Sequence, residues 1–156
     1  MRTITLEIQL LTSATFDLYG IVIDQRGSIE INLGGGTPNM TGATAERRPF
    51  EFTFLARHTR TMQVFSPLVG SQSIIAVAPP GDAPRPEDVR AFLVDGRHPY
   101  ALHAGTWHSP PFPVAEWASY LVVDRTGTLE DDYELTDFSR AHGLHFVIDV
   151  GSSVQN

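Results

Sequence analysis

The stretch HAGTWHSPP, residues 103–111, carries two of the chain's six histidines beside one of its two tryptophans and ahead of two prolines. An imidazole titrates near neutrality, so it can move a proton or, when neutral, bind a metal. The stretch therefore reads as a hydrogen-bonded piece of core, a metal clamp or an acid–base site. A second segment, RHTRTMQVFSPLVG at 57–70, adds His58, Arg60 and Gln63. His58, His103 and His108 are the candidates for acid–base work. Arg60 suits a two-pronged grip on a carboxylate, Gln63 can orient a ligand through its amide, and Trp107 can wall a dry pocket. Asp124, in YLVVDR, is a further substrate-binding candidate. Each has a structural reading beside the chemical one: a strand-end hydrogen bond for His58, a surface cation for Arg60, packing for Trp107, and a surface ion pair for Asp124 with Arg125. His98, His142 and His145 are assigned no role.

Composition narrows the chemistry. The chain has no cysteine, which removes thiolate catalysis and leaves a metal only His, carboxylate or amide ligands. All eleven basic residues are arginine, so no lysine is present to form a Schiff base. A net charge of −7 opposes a nucleic-acid partner, which needs a basic surface. A small molecule or another protein is the expected partner, and arginine, the only permanent cation, suits a carboxylate-bearing one. No apolar run is long enough to cross a membrane as a helix, and MRTITLEIQLL alternates where a signal peptide would be continuously apolar. No membrane partner and a cytoplasmic location are expected.

The elements that must carry these residues read as β. At 156 residues, one domain spanning 1–156 suffices, burying roughly 70% of the unfolded chain's surface. Period-two alternation predicts nine strands: TITLEIQL, GSIEINL, FEFTFLARH, TMQVFSPL, QSIIAVA, VRAFLVDG, YALHAG, SYLVVDR and LHFVIDV. That pattern means an all-β barrel or sandwich. One or two short helices are expected, in TSATFDLYG with Gly20 as its stop and in TDFSRAHG at 136–143. GGGTPNMTG, PPGDAPRPED and RTGTLEDD read as loops, and EDDYE at 130–134 as a solvated acidic run. GGGTPN lacks the Lys-Ser/Thr of a phosphate loop.

Strand parity sets two tests. In FEFTFLARH, Phe52, Phe54, Ala56 and His58 share a face, so an interior phenylalanine face carries His58 inward and turns Arg57 outward. His103 and His108 are five apart and fall on opposite faces of an unbroken strand. A bulge or tight bend at Gly105 is therefore predicted, resetting the phase so that both face inward.

The two histidine segments together resemble the paired motifs of the cupin barrel, His-x-His…Glu…Gly and Gly-x-x-His. His58, Gly70, Gly105 and His108 match, while Arg60 and Gln63 stand where the barrel's second His and Glu ligands would be. Only weak metal candidates remain, His58, Gln63 and His108, because first-row divalent ions favour three or four His or carboxylate donors. A divalent metal stays possible, and none is required.

A narrower resemblance runs from about residue 11 to residue 125. FDLYGIVID, RHTRTMQVFSP, RAFLVDG, LHAGTWHSPPF and YLVVDR, in that order and spacing, resemble the ureidoglycolate lyase family. The resemblance implies a cupin-like barrel, commonly a homodimer, that splits ureidoglycolate into glyoxylate and urea in purine or allantoin breakdown, as an amidine-lyase type of carbon–nitrogen lyase. Two positions depart from the family's habit, Ala104 standing for an arginine and Ser109 for a second histidine, and the segment after INLG reads GGTPNMTG where the family carries charged and aromatic residues. The alternatives are a diverged cupin enzyme acting on another small acid, and a non-catalytic ligand-binding or assembly cupin.

Overall fold

The computed structural model describes residues 1–24 and 27–151; positions 25, 26 and 152–156 of the expected single domain lie outside the described residues. Fourteen strands are present among them: β1 (Arg2–Leu10), β2 (Gly20–Val22), β3 (Pro38–Glu46), β4 (Glu51–Phe52), β5 (Phe54–Arg57), β6 (Gln63–Leu68), β7 (Ser73–Ala78), β8 (Arg90–Val94), β9 (Tyr100–Leu102), β10 (Trp107–His108), β11 (Phe112–Pro113), β12 (Trp117–Arg125), β13 (Glu134–Asp137) and β14 (Leu144–Asp149). The two α-helices are short, α1 (Thr128–Asp131) and α2 (Phe138–His142). A nine-stranded sheet runs β13-β5-β10-β7-β8-β1-β14-β4, with β11 also on β7, and a five-stranded sheet runs β2-β9-β6-β12-β3. This is the expected all-β, cupin-like architecture with short helices.

The central strand explains the layering. Every residue of β7, SIIAVA, is buried, which requires cover on both faces of the sheet. Ile74, Ala76 and Ala78 belong to one apolar cluster with Leu55, Trp107, Phe138 and Phe146; Ile75 and Val77 belong to another with Phe16, Phe65, Phe92 and Tyr100. The second cluster fills the space between the two sheets. The first lies on the other side, where β1, β14 and α2 close over the curled larger sheet. Strand β1 links the two ends of that sheet by pairing in parallel with β14 over Arg2–Glu7 and with β8 over Ile8–Leu10.

Several expected elements change identity. GSIEINL is not a strand, whereas residues 38–42 of the expected GGGTPNMTG loop begin the nine-residue β3, Pro38–Glu46. β3 is an edge strand paired along its whole length with β12, and its largely exposed faces impose no apolar alternation. TSATFDLYG is a series of turns rather than a helix. The Thr12 and Thr15 hydroxyls take the backbone N–H groups of Thr15 and Thr12, and Thr15 also donates to the Leu10 carbonyl, which competes with helical bonding. TDFSRAHG does form α2, capped by the Asp137 carboxylate on Ser139 N and Arg140 N and ended at Gly143.

FEFTFLARH is interrupted at Thr53, so β4 pairs with β14 while β5 pairs with β13 and β10. The phenylalanine face expected from alternation does not form: Phe54 is 48% exposed, and Leu55 on the opposite face is 1% exposed. Arg57 does not point out to solvent either. Its guanidinium lies 4.6 Å above the Trp107 ring, bonded to Glu134 and to the Gly81 carbonyl. Leu55→Ala is expected to cost about 3 kcal/mol and Phe54→Ala less than about 1 kcal/mol. Equilibrium denaturation of the two variants checks this, and the reverse order would restore the alternation reading.

Candidate active site

The site is built where β5 ends and β10 begins. Ala104 and Gly105 form a tight turn in which Gly105 adopts φ +88°, its N–H donates to the His58 carbonyl at 2.6 Å, and Thr106 N donates to the His103 carbonyl at 3.1 Å. Gly105 is thus the tight bend the spacing predicted, and it ties the backbone of His58 to the start of β10. In β10, His108 pairs with Ala56 of β5 and Val77 of β7, and Trp107 with Ala78. Neighbouring residues of a strand face opposite ways. Trp107 accordingly enters the outer cluster, its indole N–H on the Gly81 carbonyl, while His108 turns to the space between the sheets, 6.5 Å from the Phe65 ring.

His58 and His108 meet there, with ring centroids 5.6 Å apart at 46°. They are 5% and 8% exposed. His58 Nδ1 lies 2.7 Å from the Asp132 carbonyl and His108 Nδ1 lies 3.0 Å from the Thr106 carbonyl. A carbonyl only accepts, so both Nδ1 atoms carry the proton and each neutral ring keeps its Nε2 lone pair. Burial pushes His108 down to about 4; His58 acts in the same direction, against the pull of the Thr106 carbonyl.

Gln63 and Asp124 lie on the inner face of the smaller sheet, the face from which Phe65 reaches toward His108. Gln63 shares a face of β6 with Phe65 and donates from Nε2 to Asp124 Oδ2 at 3.0 Å, and Asn39 reaches Asp124 Oδ1 at 3.5 Å. Because a carboxylate accepts only, this bond fixes the amide's orientation. Gln63 Oε1 is buried and receives no hydrogen bond among the described residues. Asp124 and Arg125 are not a surface ion pair with each other: both are buried, and Arg125 forks onto Asp131 instead.

The other candidates lie apart. Gly105 does not bring His103 inward: the ring is partly exposed, with Nε2 at 3.0 Å from the Asp17 carbonyl, because the 12–19 turns pack against it where a helix was expected. Trp107 is not a wall of the histidine site, for the parity reason above. Arg60 sits outside it, more than half exposed, 3.6 Å from Asp131. Ser109 is wholly buried, exchanging bonds with Ala76 of β7 through its N–H and its hydroxyl, and Ala104 is exposed.

The acidic run EDDYE held what the sequence reading missed. Asp132 is buried, its carboxylate accepting from Thr59 N, Thr59 Oγ1 and Arg60 N at 2.9, 3.0 and 2.8 Å. Burial raises its pKa, but these bonds outweigh it and hold the carboxyl below its ordinary range. Tyr133, 52% exposed, sets its ring 6.0 Å from His58 on the outer side. In the sequence Asp132 is one more acid in a charged run, with no local mark of burial. As a metal site the donors fall short: among the described residues no group of three or more His, Asp or Glu is placed to hold an ion, and two imidazoles with one amide oxygen do not make the set a divalent metal favours.

Comparison with known proteins gives a consistent picture. A family model described as "Ureidoglycolate lyase" matches residues 34–143. The chain is 36% identical to a ureidoglycolate lyase of Azotobacter vinelandii, over 78% of this chain and 86% of that protein. It is 33% identical to one of Stutzerimonas stutzeri, over 88% and 92%, and 34% identical to one of Pseudomonas aeruginosa, over 80% and 85%.

The buried His108 predicts an acid-sensitive fold. The unfolded imidazole binds a proton near 6.5 and the folded one only near 4, so between those values the unfolded state holds more protons and stability falls as pH drops. From pH 7.5 to 5 this amounts to about 2 kcal/mol. Urea denaturation at both pH values, compared with His108→Gln, checks it. An unchanged pH dependence in the variant would refute it.

Proposed function

The chain belongs to the ureidoglycolate lyase family, and from that premise we propose that it is a lyase cleaving ureidoglycolate to glyoxylate and urea, a carbon–nitrogen lyase of the amidine-lyase type. The observation that carries the reading is the pair of facing, buried imidazoles with both Nδ1 protons committed to carbonyls. The substrate's central carbon bears a hydroxyl and a ureido nitrogen. Elimination takes the hydroxyl proton, turns the O–H electron pair into a C=O bond, and sends the C–N pair to nitrogen, which gains a proton as urea leaves.

The histidine pair matches that balance. Two charged rings 5.6 Å apart in a buried space repel, so beyond its two Nδ1 protons the pair takes up at most one more. His58 Nε2 takes the hydroxyl proton, since the Asp132 carbonyl on its other nitrogen also stabilises the imidazolium. His108, held neutral by burial, orients the substrate through its free Nε2. The proton then passes to the departing nitrogen. Gln63 Oε1, aimed by Asp124, accepts a ureido N–H, and Arg60, outside the imidazole pair but two residues beyond His58, leaves Asp131 to take the substrate carboxylate at the rim. His103 and Trp107, engaged elsewhere, take no part. No step runs through a metal, and no cofactor is needed. The same reading includes a single cupin-like domain, a cytoplasmic location and a place in purine and allantoin breakdown.

The reading also includes a homodimer. Residues Val64, Ser66 and Leu68 of β6, Ser119, Leu121 and Val123 of β12 and Met40 of β3 share the outer face of the smaller sheet by alternation. Leu68 and Met40 are exposed there. On a chain of net charge −7, this nearly uncharged face is where a second copy meets least repulsion.

Incubation with ureidoglycolate is expected to release urea and glyoxylate in equal amounts, and His108→Ala to slow release by about 10²-fold or more. No turnover by the intact protein would reject the substrate. Sedimentation is expected to show a dimer that Met40→Glu with Leu68→Glu converts to monomer; a monomeric parent chain would reject the interface.

A further inference from the structure

The strongest feature outside the proposed chemistry is the segment that follows α1. Asp132 is 74 positions from His58, yet it brackets three consecutive residues of that strand end. Its backbone carbonyl takes the His58 Nδ1 proton, and its carboxylate takes the Thr59 and Arg60 N–H groups and the Thr59 hydroxyl. It is itself held from behind: Asp132 N donates to the Thr128 carbonyl at 3.1 Å, and Thr128 Oγ1 lies 3.4 Å from Oδ2. Its neighbour Asp131 is forked by the buried Arg125. The bracket is therefore anchored to β12 through Arg125 and to the 58–60 turn through Asp132.

A ring whose Nδ1 faces a fixed carbonyl has one neutral tautomer and one orientation. Were the carbonyl to move, Nε2–H and Nδ1–H forms would mix and the lone pair would no longer be held at Nε2. The carbonyl's place depends on the carboxylate bonds beside it, since these alone join the Asp132 side chain to the His58 turn. We infer that Asp132 is a positioning residue for His58, fixing its tautomer and aim through the clamp on residues 58–60. The inference rests on the reading of His58 as the group that takes the hydroxyl proton. Asp132 touches no substrate in this assignment.

The experiment combines ¹⁵N spectroscopy of the histidine rings with kinetics on the full chain. In the parent protein His58 is expected to show a single Nδ1–H tautomer at neutral pH. In Asp132→Ala its two ring-nitrogen shifts are expected to move toward the values of a mixed tautomer, with kcat down about 10- to 100-fold. Asp132→Asn keeps the side chain's shape but replaces one acceptor oxygen with an NH₂ group, and should show the same changes in smaller measure. It carries the test if the alanine variant does not fold.

A folded variant in which His58 stays wholly Nδ1–H with kcat unchanged overturns the inference. A loss of kcat with unmoved nitrogen shifts overturns it too, as the mark of a merely structural role. The spectroscopy needs no substrate. If the parent chain releases no urea while the shifts move as expected, the positioning stands and the substrate reading falls.

Discussion

The structure depends on a sheet that is buried on both faces. Because β7 is covered by two apolar clusters, each strand beside it must supply one side chain to the outer core and the next to the space between the sheets. In β10 this constraint separates adjacent residues completely: Trp107 becomes outer core and His108 becomes site. The same alternation in β5 sends Leu55 and Arg57 one way and Ala56 and His58 the other. Arg57 is tolerated on its side because it stacks on Trp107 and is paired with Glu134. The site is thus the polar remainder of a two-sided packing problem.

Placing two imidazoles in such a space is costly unless their donors are met, since a buried donor left unpaired costs about 1–3 kcal/mol. Both rings meet this with a main-chain carbonyl at Nδ1. That solution also orients them, because the satisfied nitrogen is the same in each and the lone pairs are left at Nε2. Stability and chemistry coincide here: the bond that makes burial tolerable selects the tautomer able to accept a proton. The penalty remaining from burial appears as the lowered pKa of His108.

Much of this was legible in the sequence, for local reasons. The glycine at 105 stands where the chain must turn between β9 and β10, although that turn does not bring His103 inward, and Asp137 with Gly143 marks α2 at both ends. What stayed illegible depended on partners far along the chain. β3 has no apolar rhythm because β12, not a core, holds it in register. The Thr12–Thr15 hydroxyl exchange that prevents a helix looks like an ordinary cap in sequence. Asp132 looks like one more surface acid until residues 59 and 60, more than seventy positions earlier, present their N–H groups to it.

The two departures from the family's habit take on meaning from the same two-sided sheet. Ser109 follows His108 and so falls on the face of Trp107, where it is wholly buried and its hydroxyl receives the Ala76 N–H at 3.0 Å. The serine therefore serves the ladder between β10 and β7, on the side away from the imidazole pair. Ala104 lies exposed on the turn, beside His103, which is itself turned toward the Asp17 carbonyl. Neither position faces the space between His58 and His108. In the proposed reading the groups that recognise the carboxylate and the ureido nitrogen are Arg60, in the bend that follows His58, and Gln63, at the start of β6.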